Sequence, residues 1–203
     1  MKLDICTASR GRPREFDVDD ALAAALRIFW SKGYEGASLA DLTEAMGITK
    51  PSLYAAFGNK EQLFCKALDL YEREKLAYTR NALEAPTVRE VAERFMRGAI
   101  AAQCSECEPR GCLGVISSVA CGAEAETIRE EVIRRRASSR QAIVDRFERG
   151  KKDGDLPAET DVDALTSYLL AVLQGMAVQA GAGAKREDLD RVVDMTLAMW
   201  PGA

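Results

Sequence analysis

Residues 37–64 read ASLADLTEAMGITKPSLYAAFGNKEQLF, and the fold turns on how this stretch is parsed. Ser38 stands before LADLTEAM, where its hydroxyl can cap a helix that stops at Gly47. Thr49 does the same for KPSLYAAF, and Pro51 falls in that helix's first turn, where a missing N–H costs no bond. Gly58 ends the second helix, and Asn59 with Gln62 opens another. Leu39, Leu42, Ala45, Met46, Ile48, Leu53 and Phe57 can pack the pair inward. The face left outside offers Lys50, Ser52, Tyr54 and Lys60 and almost no acid, in a chain whose net charge is −4.

Two short helices joined by Met46-Gly47-Ile48-Thr49 match the helix-turn-helix, whose second helix enters a major groove. They also match any helical corner with a solvated polar face. The N-terminal segment separates the two. SRGRPR at 9–14 places Arg10, Arg12 and Arg14 just before an acidic helix start, and among residues 1–14 only Asp4 opposes them and Lys2. Such an arm can follow a narrow minor groove: glycine removes bulk and proline keeps the chain extended. Ser38 and Thr49 sit at helix N-termini that attract phosphate, Lys50 and Lys60 supply charge, and Tyr54 can donate to a phosphate oxygen. Overall acidity is no objection, because the basic groups are local.

Outward from this corner the chain reads helical almost throughout, with no period-two run bounded by hairpin turns. Asp17 with Asp20 opens a first helix carrying Val18, Ala21, Leu22, Ala25, Leu26 and Phe29, ended by Gly33. A long connector begins at Lys60 and runs to Leu83, before Pro86. Thr87 and Glu90 form a capping box for a helix to about Gln103. CSECEPRGC at 104–112 breaks the pattern, LGVISSVA is short, and a long charged helix ends at Gly150 or Gly154. Helices near Asp163–Gly181 and Arg186–Met199 complete an all-α chain of about nine helices.

The 203 residues suffice for one good-sized core or for a small domain joined to a larger one. The N-terminus has no apolar secretory core, and the longest apolar stretch, LTSYLLAVLQGMAVQAGAGA at 165–184, reads as a buried helix and not a span. A cytoplasmic protein with no membrane partner is expected, its six cysteines mostly reduced. There is no histidine, which removes Ser-His and Cys-His pairs and Cys2His2 zinc sites, and no cofactor is called for.

The stretch 37–64 resembles the DNA-binding domain of the TetR/AcrR family of bacterial repressors, without a gap from about Phe16 to Leu68. GKKDGDLPAETDVDALTSYLLAVLQGMAVQA at 150–180 is similar to that family's approach to its dimerising helices. The resemblance implies a basic arm over 1–15, a helix-turn-helix domain over 16–60 and an effector-binding and dimerisation domain over 61–203. It also implies a homodimer on a palindromic double-stranded operator, released by a small-molecule effector. By position it puts Ser38, Thr49, Ser52, Tyr54 and Lys60 on phosphates, and Lys50, Pro51 and Ala55 at base edges or thymine methyls. Alanine at 55 limits base reading there to an apolar contact. The implied pocket is lined from among Phe95, Met96, Ile100, Leu113, Ile116 and Tyr168, a set that favours a small apolar or aromatic effector. Leu165, Leu169, Val172, Leu173 and Met176 with Val193, Leu197 and Trp200 offer apolar faces for a four-helix dimer interface, or for core.

Cys104, Cys107 and Cys112 leave three readings open. C-x2-C supplies two thiolates, but only Cys112 and Cys121 could complete a metal site. A thiol sensor would use Cys112 as a thiolate stabilised by Arg110 and a helix start, resolved by Cys104 or Cys107. PRGCLGVISS at 109–118 is similar to a segment of one family branch that answers reactive small molecules through a cysteine. The plain reading is three small hydrophobes. Cys6 and Cys65 call for no role. A thiol-dependent redox enzyme built on the same three cysteines is the competing function; the missing histidine and the absence of a βαβ context for C-x2-C oppose it. A purely structural bundle would leave the arm and the turn unexplained.

Overall fold

The computed structural model describes residues 16–104, 108–119 and 125–202, and these form ten α-helices with no strand among them. Arg10, Arg12, Arg14, Cys107 and Cys121 lie outside the described residues. The order is α1 (Val18–Gly36), α2 (Leu39–Met46), α3 (Lys50–Phe57), α4 (Lys60–Lys75), α5 (Ala77–Leu83), α6 (Val88–Gln103), α7 (Leu113–Val119), α8 (Glu126–Lys152), α9 (Val162–Gly181) and α10 (Arg186–Ala198).

The N-terminal helices start where their caps stand. Asp17 Oδ1 accepts from the amides of Asp19 and Asp20 at 2.8 and 3.1 Å. Ser38 and Asp41 satisfy each other's backbone amides, as do Asn59 and Gln62. Gly33 interrupts α1 with φ 71° and ψ 176°, a conformation that L side chains resist, and one more turn follows to Gly36. Thr87 caps α6, but Glu90 does not complete the expected box: its carboxylate turns to Arg94, 3.2 Å away.

The expected connector is two helices. Leu76 leaves helical geometry (φ −104°, ψ 11°), and its carbonyl accepts both the amide and the hydroxyl of Thr79, at 3.0 and 2.7 Å. A hydroxyl inserted into the ladder produces the jog without glycine or proline.

Two apolar cores result. The first holds Phe29, Trp30, Leu42, Leu53, Phe57, Phe64 and Tyr71, with Trp30 and Tyr71 edge to face at 4.9 Å. It also takes in Leu113 from α7 and Ile128 and Val132 from α8, so the helix-turn-helix unit is closed by later segments. The second core joins α6, α8, α9 and α10. Leu165, Leu169, Met176, Val193, Leu197 and Trp200, expected at a dimer interface, are buried there by their own chain; Val172 lies at its edge. Other apolar residues are left exposed instead: Tyr168 and Val178 (60% exposed) on α9, Met195 (63%) on α10 and Met199 (64%) just past its end. A Cβ added at Gly175 of α9 would meet only open space. Among the described helices α9 alone is long and apolar enough to cross a membrane; one of its faces packs on the core and the other is exposed.

Candidate nucleic-acid interface and regulatory cavity

The turn between α2 and α3 is closed by Gly47 in the left-handed region (φ 64°), its amide donating to Glu44 and that of Ile48 to Thr43, each at 3.1 Å. Leu53 and Phe57 then face the first core, which turns Lys50, Pro51, Tyr54 and Ala55 outward as one exposed strip of α3. Thr49 Oγ1 accepts from the Ser52 amide at 3.3 Å and pairs with the Ser52 hydroxyl at 2.9 Å, which leaves Ser52 half-buried. Ser38 is exposed at the start of α2, its hydroxyl 2.7 Å from Asp41.

Lys60 stands apart from the strip. Its ammonium lies 4.5 Å from the centre of the Tyr34 ring, and burial lowers its pKa while Glu35 nearby raises it. The strip on α3 is exposed, whereas Lys60 is half-buried with its ammonium over an aromatic face.

A second feature lies on the other side of the first core. A cavity of about 500 Å3 opens between α4, α5, α6, α8 and α9, walled by Leu68, Tyr71, Tyr78, Phe95, Ala99, Val132, Ile143, Leu170 and Leu173, with Gln103 and Cys112 also in its lining. The Tyr78 ring packs close on Gly98, where a Cβ would run into it. Burial, and then the neighbouring Cys112, push the phenols of Tyr71 and Tyr78 far above their usual range.

Of the residues expected in a pocket, Phe95 and Cys112 line this cavity. Met96 and Ile100 face the second core and Leu113 the first, Ile116 packs over the Gly33 kink, and Tyr168 sits outside near Trp200. Cys104 caps α6 against the second core. Arg110 does not serve Cys112: its guanidinium donates to the Ala184 carbonyl at 3.0 Å. Among the described residues no three His, Cys, Asp or Glu side chains gather as a metal site. Tyr71, Tyr78 and Gln103 were not singled out from the sequence; an aromatic on a helix face signals core, and nothing local marks a core left unfilled.

The segment from Glu108 to Leu113 joins the cavity to the helix-turn-helix unit. Cys112 is in the cavity wall, while Glu108 Oε1 accepts from Arg27 of α1 at 3.3 Å and from Lys75 of α4 at 3.0 Å. The Gly111 carbonyl accepts from the indole of Trp30 at 3.1 Å, and the Gly111 amide donates to Gln103. A little farther on, Arg135 of α8 binds Asp69 and Glu72 of α4 at 2.7 and 3.0 Å.

Comparison with known proteins matches this architecture. Residues 21–66 fit the family described as "Bacterial regulatory proteins, tetR family", and residues 86–196 the "Tetracyclin repressor-like, C-terminal domain". The chain is 34% identical over 195 residues to the HTH-type transcriptional repressor ComR of Escherichia coli K12, spanning 95% of this chain and 93% of that protein. It is 33% identical to the transcriptional regulator YezE of Bacillus subtilis 168, over 93% of this chain and 98% of the other. Among solved structures, the TetR family regulator CifR, a cysteine-substituted form complexed with 26-base-pair double-stranded operator DNA, superposes with a TM-score of 0.89 at 45% identity, covering 94% of this chain and all of that one. With both halves matched in order and an exposed recognition helix in place, this chain belongs to the TetR family of DNA-binding transcriptional repressors.

Proposed function

We propose that the chain acts as a homodimer whose two α3 helices occupy successive major grooves of a palindromic operator, and that a small molecule in the cavity releases it. The observation that carries this reading is the Glu108–Leu113 segment, which is wall to the cavity at Cys112 and bolt to α1 and α4 at Glu108 and Gly111. A ligand that displaces it would shift α1 and α4, and with them α3. Two recognition helices must sit about 34 Å apart to read one face of the duplex, so an effector need only prefer the dimer in which they do not. The operator-bound state of CifR, a relative over nearly the whole chain, supports the DNA half of this reading. The exposed apolar side chains of Tyr168, Val178, Met195 and Met199 support the dimer.

Cys112 favours a second reading of the same site. A thiol-reactive molecule entering the cavity would meet its sulfur at the wall, and the adduct would occupy the space an unreactive effector fills.

The test is fluorescence anisotropy on DNA from immediately upstream of the chain's own gene, against unrelated DNA at matched salt, with and without an electrophile. Specific binding that the electrophile abolishes in the native protein but not in Cys112→Ser supports both readings. Specific binding indifferent to it removes the thiol reading. Equal binding to both DNAs removes that upstream operator.

A further inference from the structure

Cys112, half-buried in the cavity wall, does not stand there alone. Tyr71 and Tyr78 line the same space, and the thiol and the two phenols lie within electrostatic reach of one another. The Tyr71 oxygen accepts from the Leu113 amide and its hydroxyl bonds to the Cys112 side chain, so its proton is directed at sulfur. That donor holds the thiol in place and steadies negative charge as it develops there. Tyr78 is placed differently. Its hydroxyl bonds to none of the described residues and, unlike the Tyr71 oxygen, is not sealed off from a water-sized visitor. Its ring is pinned against Gly98, and burial keeps the phenol protonated at any physiological pH. The wall thus presents a nucleophile with its own donor, and beside it a second donor left open.

The rest of the lining limits what can approach. Leu68, Phe95, Val132, Ile143 and Leu170 make it largely apolar. Its charged side chains are engaged: Glu72 with Arg135, Arg135 also with Asp69 and Glu131, and Arg140 with Asp163. An ionised ligand would be desolvated here without a free counter-charge, which favours a neutral one. A neutral electrophile that answers both groups needs a carbon for sulfur to attack. It also needs an oxygen, a short distance away, that takes up charge as the attack proceeds. A carbon–carbon double bond conjugated to a carbonyl has both, and it sheds no leaving group into the cavity.

We propose that Tyr78 makes Cys112 selective for neutral α,β-unsaturated ketones and aldehydes, by donating a hydrogen bond to their carbonyl oxygen. This rests on the thiol reading of the cavity and goes beyond it, naming the electrophile and the residue that recognises it. Sulfur gives up its proton and bonds to the β-carbon, while the alkene electron pair moves through the carbonyl onto oxygen. Tyr78 bears on the charge formed there. The proton lost from sulfur ends on the α-carbon as the carbonyl re-forms. The net change is addition of S–H across C=C, with no oxidant and nothing released. The size agrees: about 500 Å3 holds a single ring carrying a four-carbon enone.

The test follows modification of Cys112 by intact mass and peptide mapping, on the full-length protein without DNA, with two probes of similar size. 4-Phenyl-3-buten-2-one carries the enone; benzyl bromide alkylates sulfur but has no oxygen to receive a bond. Tyr78→Phe should slow the enone about a hundredfold and leave benzyl bromide within about twofold of the native rate. The retained benzyl bromide rate, with unchanged helical content, certifies that the variant folds. An enone rate that survives Tyr78→Phe, or a loss shared equally by both probes, would overturn the proposal and leave the thiol reading standing. Cys112 untouched by either probe would remove both.

Discussion

The indole nitrogen of Trp30 and the carbonyl oxygen of Gly111 are 3.1 Å apart across 81 residues of chain, and their bond is buried. It fastens the middle of α1 to the residue before Cys112. Trp30→Phe keeps most of the ring's packing on Tyr71 but leaves the Gly111 oxygen without its donor. A loss of about 1–3 kcal/mol is expected in urea unfolding. If the segment transmits the effector signal, the variant still binds operator yet releases it poorly when ligand is added, as anisotropy would record.

Glu108 makes a different prediction, since its two cationic partners are partly exposed and each pair is worth little alone. Glu108→Gln should cost no more than about 1 kcal/mol of stability. Its effect should fall on coupling: the ratio of operator affinities with and without effector should shrink. An unchanged ratio would take Glu108 out of the pathway.

On the DNA side, Lys50 and Lys60 separate by their surroundings. Lys50→Ala removes an exposed cation from the α3 strip and should weaken binding to specific and unrelated DNA alike, reducing the salt slope by about 0.9 for each phosphate that is no longer neutralised. Lys60→Ala should do less, because its ammonium already rests on Tyr34. Titrations of affinity against salt distinguish the two.

The dimer prediction turns on which apolar residues the chain leaves outside. Val178→Glu and Met195→Glu place charge at these exposed positions and should give folded monomers by sedimentation, with helical content intact. Leu169→Glu, in the chain's own core, should instead unfold it.

Asp41 gives the pH dependence. Hydrogen bonds from Lys32 and Ser38 hold its carboxyl at about 2, against an ordinary 3.8. A carboxylate depressed on folding stabilises above its unfolded value, and that contribution is lost as pH falls through the folded one. Asp41→Asn should therefore lower the melting temperature at neutral pH, by an amount that shrinks steadily from pH 4 towards pH 2.

Much of the helix-turn-helix unit was legible because its boundaries are written in single residues. Asp17, Ser38, Thr49 and Asn59 cap, and Gly47 and Gly58 stop, each by a bond visible in the structure. The jog at Leu76 was not, because a threonine hydroxyl turning back on a carbonyl looks like any threonine in a helix. The dimer list landed on the intramolecular core for a related reason. Burial by one's own chain and burial by a partner select the same residue types, so Leu169 and Val193 carried no mark to separate them from Val178 and Met195. The cavity was legible at Phe95 and Cys112 and missed at Tyr71, Tyr78 and Gln103. A void is a property of what fails to meet in space, and spacing along one helix does not report it.

Because Leu113, Ile128 and Val132 complete the core around Trp30 and Tyr71, the reading head is not a detachable module. A chimera joining residues 16–75 to the body of a distant relative would inherit a bare aromatic wall unless the recipient's own seventh and eighth helices happened to fit it. The helix-turn-helix unit and the helices that close its core are thus inherited together. New specificities on this scaffold are reached more readily by changing the exposed strip of α3 or the lining of the cavity in place than by exchanging halves.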